Sequence, residues 1–341
     1  MRQVRTQDAV GLMLCHDITR IVRGESKGPA FRKGHIVEEG DIEPLLSIGK
    51  EHLYVWDVTP DMLHEDDAAA ILYELCRSEH LHATAPSEGK IEAIADVDGL
   101  LKVDVERLGR VNSLGDMMIA TRHTNRPVRA GDTLAGMRVI PLIIERQRME
   151  AARRCAAGAP ILRVLPYLPH KVGIVTTGSE VYAGRIEDSF TPVVMKKVEE
   201  FGGVVVAHET APDDPEAEVA CMRRVRAAGA DLVLVTGGMS VDPDDRTPLA
   251  IRTVADRVVT YGAPVLPGAM MMLAYGGAHD EATYVGLPGC VMYAKRTIFD
   301  LILPRIMAGE VLTREDMERL GHGGLCLDCP VCTYPNCGFG V

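Results

Sequence analysis

The amino-acid sequence predicts an α/β fold, a parallel or mixed sheet with helices on both faces, preceded by a mixed α+β N-terminal region of small sheets. Three observations carry this. From residue 165 onward, short apolar runs alternate with segments whose apolar residues recur at helical spacing. Those runs are apolar throughout, as strands covered on both faces are. Ahead of them the runs are short, β-branched and broken by turn signals. A length of 341 residues allows two or three domains, and 47% hydrophobic with 25% charged residues is the balance of a globular chain. Aromatics are only 4%, so aliphatic residues, Ala and Met must build the core.

In the first part, "AVGLMLCHDITRIV" reads as extended chain. "EEGDIEPLLSIGKEHLYVWD" reads as a short helix stopped at Gly49, then a strand. "EDDAAAILYELCRS" opens on acids and keeps a helical apolar spacing. "KIEAIADVDGLLKVDV" holds two β-type runs joined by Asp98-Gly99, a hairpin signal. "DMMIATR" and "GMRVIPLIIE" add strands, and "ERQRMEAARRCAAGAP", closed by Gly158 and Pro160, is a helical connector. The second part alternates. "HKVGIVTTG", "GVVVAHE", "ADLVLVTGG", "APVLPGAMMMLAYG" and "EATYVGLPG" are strands. "DSFTPVVMKKVEEFG", "DPEAEVACMRRVRAAG" and "DDRTPLAIRTVAD" are helices, and "VMYAKRTIFDLILPRIMAG" is one long helix. The domain reading is a mixed region over 1–145, in one or two modules, a connector over 146–164, an α/β domain over 165–310, and a C-terminal helix with a cysteine-rich tail over 311–341.

A formal net charge of −11 argues against a general nucleic-acid binder, which needs a basic face. It leaves open a small anion held by backbone amides. No apolar run reaches bilayer length and "MRQVRTQDAV" lacks a signal-peptide core, so a cytoplasmic location is expected, with no membrane partner.

Chemistry in such a fold sits beyond the carboxyl ends of the strands. Three loops fall there: "TTGSEVYAGRIEDSF", "TGGMSVDPDD" and "GLPGC". Glycine permits positive φ and close backbone approach, so N–H groups can converge on a phosphate. The loops at Asp188 and Cys290 are also expected to feed helix N-termini. The plainer alternative is tight βα turns. Neither a P-loop nor a G-x-G-x-x-G fingerprint is present. Glu180, Asp188, Asp213, Asp214, Asp242, Asp244 and Asp245 accompany the loops. Carboxylates beside a phosphate site suit Mg²⁺, although Asp188 and Asp244 also suit helix capping.

In this order and on this alternation, "TTGSE…GRIEDS", "VTGGMSV…D" and "GLPG" resemble the molybdopterin-binding domain shared by molybdopterin molybdenumtransferases, the gephyrin E region and molybdopterin adenylyltransferases. "AVGLMLCHDI" and "FRKGHIVEEGDIEPLLSIGKEHLYVWD" are looser matches to the transferase type. The resemblance implies a site for molybdopterin or its adenylylated form. It also implies molybdate insertion as the adenylyl group is cleaved with Mg²⁺ present, in a homodimer that serves a molybdoenzyme client. Carried over by position, the catalytic candidates are Glu180, Asp188, Asp214 and Asp245. The cofactor contacts are Thr177, Gly178, Ser189, Gly237, Gly238, Ser240, Gly286, Leu287, Pro288, Gly289 and Cys290. Departures cluster at the same positions. Ser179 stands for the first acid of the family's "GDE", Phe190 for the Asn of "DSN", Asp242 for a Gly, and Cys290 for the Asn of "GLPGN". The "DRSAMDGYA" signature of the family is not matched, and the cysteine tail is expected where the transferases continue into a C-terminal β domain. Two alternatives follow: a non-catalytic carrier, chaperone or sensor of the cofactor, and a nucleotide or pyrophosphate hydrolase on the same fold, since competence-damage-inducible proteins carry a related domain.

Cys290 at a helix start would be an activated thiol, against a plain buried one. Lys295 and Arg296 are phosphate candidates or solvated charges, Met270–Met272 read as core, and none of the eleven histidines shows metal spacing. Five cysteines are scattered, but Cys326, Cys329, Cys332 and Cys337 fall in "LCLDCPVCTYPNCGFGV". In a reducing compartment this reads as a zinc or iron–sulfur site, a metal-held cap, contact surface or redox sensor where the resembling transferases continue into another domain, against the plainer alternative of an uncharged, mobile tail.

Overall fold

The computed structural model describes residues 2–22, 26–55, 61–240, 242, 245–277 and 281–341. Of the stretches singled out above, Met1, Trp56, Asp57, Val241, Pro243 and Asp244 lie outside the described residues. The chain divides into two compact units. The first comprises Met1–Val97, Lys102–Arg122 and Ala130–Val164, and the second Asp98–Leu101, His123–Arg129 and Leu165–Val341.

The first unit is built of small sheets. Its largest runs in the order Leu81–Ala83, Lys90–Ala95, Thr133–Val139, Met117–Thr121, all antiparallel. The helix Glu65–Cys76 packs on it with Ala68, Ala69 and Leu72 buried. A separate cluster joins Ala9, Leu14, Ile18, Val37, Leu45 and Leu53 around the helix Ile42–Ser47, which stops before Gly49 at φ 78°. The helix Arg146–Cys155 belongs to this unit. The hairpin expected at Asp98-Gly99 does not form. Lys90–Ala95 pairs with Leu81–Ala83 and Thr133–Val139, whereas Gly99–Leu101 pairs with Arg126–Val128 in the second unit. The turn signal is local, but burial of Gly99, Leu100 and Leu101 on both sides favours a distant partner.

The second unit holds a mixed sheet. Its elements are β1 (Lys171–Thr177), α1 (Phe190–Glu199), β2 (Val204–Ala211), α2 (Pro215–Ala227), β3 (Leu232–Thr236), α3 (Thr247–Val254), β4 (Arg257–Tyr261), β5 (Met272–Gly276), β6 (Ala282–Leu287), α4 (Ile298–Met307) and α5 (Arg314–Arg319). The strand order is β2-β1-β3-β6-β5-β4. β2, β1, β3 and β6 run parallel, and β5 is antiparallel to both of its neighbours. The sequence runs for β1, β3, β5 and β6 are apolar because both faces are covered. Ile174, Leu232, Leu234 and Val285 face one core with Val194 and Val198 of α1 and with α4. Val175, Val233 and Val235 face the other with Met222 and Val225 of α2 and Ile251 of α3. Met271 and Met272 are fully buried, one in each core.

The long helix expected from Val291 is shorter. A single 3-10 turn, Gly289–Met292, follows the loop, and α4 begins only at Ile298. The cause is a capping box. The Thr297 hydroxyl accepts from the Phe299 amide, and Asp300 accepts from the Thr297 amide at 2.8 Å, so the helix restarts there. All ten residues of α4 are buried, Asp300 and Arg305 included. Asp300 bonds Lys197 and Arg296, and Arg305 bonds Glu310 and Asp316.

Candidate functional site

The sheet order reverses between β1 and β3, with β2 and its helices leading away on one side and β6 on the other. At such a switch point the outgoing loops diverge and leave a crevice above the carboxyl ends of the strands. The carboxyl ends of β1, β3 and β6 bring all three glycine loops to that crevice.

Its floor is a row of threonines. Thr176, Thr177 and Thr236 are buried at the strand ends. The Thr177 hydroxyl donates to the Thr236 carbonyl at 3.1 Å and lies 3.3 Å from the Thr247 hydroxyl of α3. This crowding explains the glycines of the second loop. A Cβ on Gly237 would lie 2.6 Å from the Thr177 hydroxyl, and one on Gly238 would strike the Thr247 hydroxyl. Both have positive φ, 93° and 58°.

The first loop leaves β1 at Gly178, whose amide donates to the Ala211 carbonyl at 3.1 Å. Glu180 stands exposed on the one-turn helix Ser179–Tyr182. The Ser179 amide donates to Asp213 at 2.8 Å, tying this loop to the end of β2. Asp188 then closes the loop. One oxygen accepts from the Phe190 and Thr191 amides, and the other from the Thr176 and Thr191 hydroxyls. Burial disfavours its charge, but the bonds from Thr191, Thr176 and Phe190 outweigh it and hold the carboxyl below its usual range. With both oxygens engaged, Asp188 positions the loop and the start of α1. His208 joins the same cluster, 3.0 Å from the Thr176 hydroxyl and 3.4 Å from Asp188.

Asp214 caps α2, accepting from the Ala217 amide at 2.8 Å. Asp245 accepts from the Ser240 amide at 2.9 Å and so folds the second loop back on itself. In the third loop, Gly286 lies against Met239 and Ile251, Leu287 is buried, and Gly289 stands 4.0 Å from the Phe190 ring at its absent Cβ. The Ser189 hydroxyl is 2.9 Å from the Met292 sulfur, which joins the first loop to the third. Cys290 lies within a 3-10 turn instead of at the start of an α-helix, and burial pushes its thiol up instead of down.

The structure turns Lys295 and Arg296 elsewhere. Lys295 donates to the Cys329 carbonyl at 2.8 Å, and Arg296 pairs with Asp300 and lies over the Tyr334 ring at 4.8 Å. The tail thiols line one cleft. Cys326 and Cys337 are half-buried, and Cys329 and Cys332 exposed. Among the described residues, no three His, Cys, Asp or Glu side chains are gathered closely enough to hold a metal ion alone.

The group that sequence reasoning missed is Glu218. It is 1% exposed, bonds Thr247, and leaves Oε2 without a partner. Burial, reinforced by the charges of Asp213, Asp214 and Asp245, pushes it up to about 7. A signal existed: Glu218, Cys221, Met222 and Val225 form one helical stripe, with an acid where an apolar residue belongs. His208, Thr176, Thr191 and Thr247 carried no comparable signal, because isolated polar residues at strand and helix ends are common.

Residues 173–308, which carry all three loops, match the family model described as "Probable molybdopterin binding domain". This segment belongs to the molybdopterin-binding domain family. Residues 3–57 match a second model, a domain of unknown function (DUF8806). A molybdopterin molybdenumtransferase of Synechococcus elongatus is 27% identical over 179 residues, 49% of this chain and 44% of its own. A Streptococcus pneumoniae protein described as competence-damage inducible is 24% identical over 186 residues, 45% of this chain and 44% of its own. The chain thus spans under half the length of these curated relatives. Among solved structures, the tungsten cofactor synthesizing protein MoaB of Pyrococcus furiosus is 18% identical, covers 41% of this chain and 96% of its own, and aligns with a TM-score of 0.35. Within the described residues no helix is long and apolar enough to cross a membrane.

Proposed function

We propose that the molybdopterin-binding domain takes molybdopterin, free or adenylylated, across the β1–β3–β6 crevice and acts in molybdenum cofactor biosynthesis as a transferase that inserts molybdate as the adenylyl group leaves. The observation that supports this is the convergence of the three glycine loops on a buried threonine floor, rimmed by acids. Gly178, Gly237, Gly238 and the Gly286–Cys290 turn are assigned to the cradle, together with Ser189 and Ser240. Glu180, Asp214 and Asp245 are the carboxylates assigned to the reacting end, and Asp188 holds the first loop in place.

Mg²⁺ fits this donor set. It is held by one or two carboxylates completed by substrate phosphates and water, so it needs no closed protein cage. Asp214 and Asp245 each commit Oδ2 to a backbone amide, and we assign their second oxygens to the ion. When bound, it neutralises phosphate charge that the acids alone would repel. The tail thiols Cys326, Cys329, Cys332 and Cys337 are assigned to a separate zinc or iron–sulfur centre. A homodimer serving a molybdoenzyme client belongs to the same reading.

The test is anaerobic incubation with adenylylated molybdopterin, molybdate and Mg²⁺. AMP release with formation of active cofactor is expected, slowed about tenfold or more in Asp245→Asn. Tight binding without AMP release overturns catalysis in favour of a carrier. Turnover of a free nucleotide without pterin affinity overturns the pterin assignment itself.

A further inference from the structure

We propose that Cys326, Cys329, Cys332 and Cys337 hold one iron–sulfur cluster, in a cleft of their own apart from the threonine-floored crevice. Cys326 and Cys337 pack against the core, but packing does not account for the other two. Cys329 and Cys332 are exposed, so neither gains from burial as isolated thiols do. The peptide that carries them is nevertheless firmly docked. The Cys326 amide donates to the Leu266 carbonyl at 2.8 Å, Tyr334 donates to the Asp300 carbonyl at 2.8 Å, and Phe339 is 4% exposed. Asp328, between the first two thiols, takes a left-handed φ of 47°.

All four cysteines line a single open cleft of about 280 Å³, which Lys295, Arg296 and Phe339 also line. The spacing of the thiols decides between the metals, because among the described residues no three of them are gathered closely enough for one ion. Zinc draws its thiolates to about 2.3 Å, which sets sulfur pairs about 3.8 Å apart and leaves no room between them. An iron–sulfur cluster distributes four thiolates over separate irons and fills a space many times larger than one ion. The C-x-x-C-x-x-C run supplies three such ligands and Cys337 the fourth.

Cations gather on the same peptide. Lys295 bonds the Cys329 carbonyl and lies 3.5 Å from Asp328, and Arg296 reaches Cys332. Arg126 donates to the Cys337 and Phe339 carbonyls at 2.8 and 2.7 Å. Four thiolates on a cluster bring net negative charge, and nearby donors of this kind stabilise it and tune its potential.

The test is iron and acid-labile sulfide in the full chain, purified without air and again after reconstitution with ferrous iron and sulfide. Equal amounts of iron and sulfide, with a visible band that dithionite bleaches, are expected. Cys329→Ser and Cys332→Ser, both at exposed positions, should lose iron about tenfold or more while keeping the parent's circular dichroism. One zinc per chain without iron, no metal after reconstitution, or iron retained in both variants overturns the proposal. Pterin binding measured on the same samples keeps the two sites separate, because this inference does not rest on the crevice.

Discussion

Glu218 occupies a place that chemistry makes expensive. It begins the stripe by which α2 faces the sheet, yet it is a carboxyl at 1% exposure with one oxygen unpartnered. Holding its proton is the cheaper state there, so its pKa rises from 4.5 to about 7. Between those values the folded chain keeps a proton that the unfolded chain has released. Its contribution to stability is therefore fully present below the unfolded pKa and is lost as pH rises through about 7. Glu218→Gln keeps the shape and the bond to Thr247 without the titration. The variant should match the parent near about pH 5 and exceed it near about pH 8, by on the order of 2 kcal/mol once screening by nearby solvent is allowed for. Urea midpoints at the two pH values measure this. Equal midpoints at both would mean that Glu218 is ionised in the folded state.

At the level of elements, the crevice depends on where two strand ends stop and which backbone follows. Gly237 sits at φ 93° with the Thr177 hydroxyl where a Cβ would go. Gly237→Ala should therefore cost about 2 kcal/mol, from left-handed strain plus displacement of Thr177, and weaken pterin binding about tenfold or more. Gly184→Ala is the control, since φ there is 66° but nothing lies within 4 Å. It should show strain alone, with affinity unchanged. Binding titrations of both variants decide it, and equal affinities would remove Gly237 from the ligand site. These loops were legible in sequence because glycine beside Thr, Ser or Pro at a strand end is a local pattern. The buried strands β1, β3, β5 and β6 were legible as continuous apolar runs. Four features were not. β4 alternates weakly at the sheet edge, and α4 starts late because Thr297 and Asp300 form a capping box inside an apolar run. Gly99–Leu101 pairs with a strand that no turn signal announces, and the threonine floor exists only once the strand order is known.

On the scale of the whole molecule, the α/β unit is not a continuous piece of chain. Asp98–Leu101 and His123–Arg129 join it from far upstream, and the tail completes it from the other end. Arg126, 5% exposed, comes from one of those inserted pieces and holds the carbonyls of Cys337 and Phe339. Phe339 lies in the same core as Leu301, Ile302 and the β5 and β6 side chains, and its ring meets Tyr334 at 6.3 Å. The tail is thus part of the core that supports the sheet, and its hydrophobic anchor should be felt by the whole unit. Phe339→Ala removes a buried aromatic whose neighbours on α4 cannot collapse into the space, because that helix is buried on every side. The expected loss is about 3 kcal/mol, seen as a lower urea midpoint by far-UV circular dichroism, which reports the sheet and helices and not the tail. A change below about 0.5 kcal/mol would mean that the tail only drapes over the unit and that the sheet folds without it.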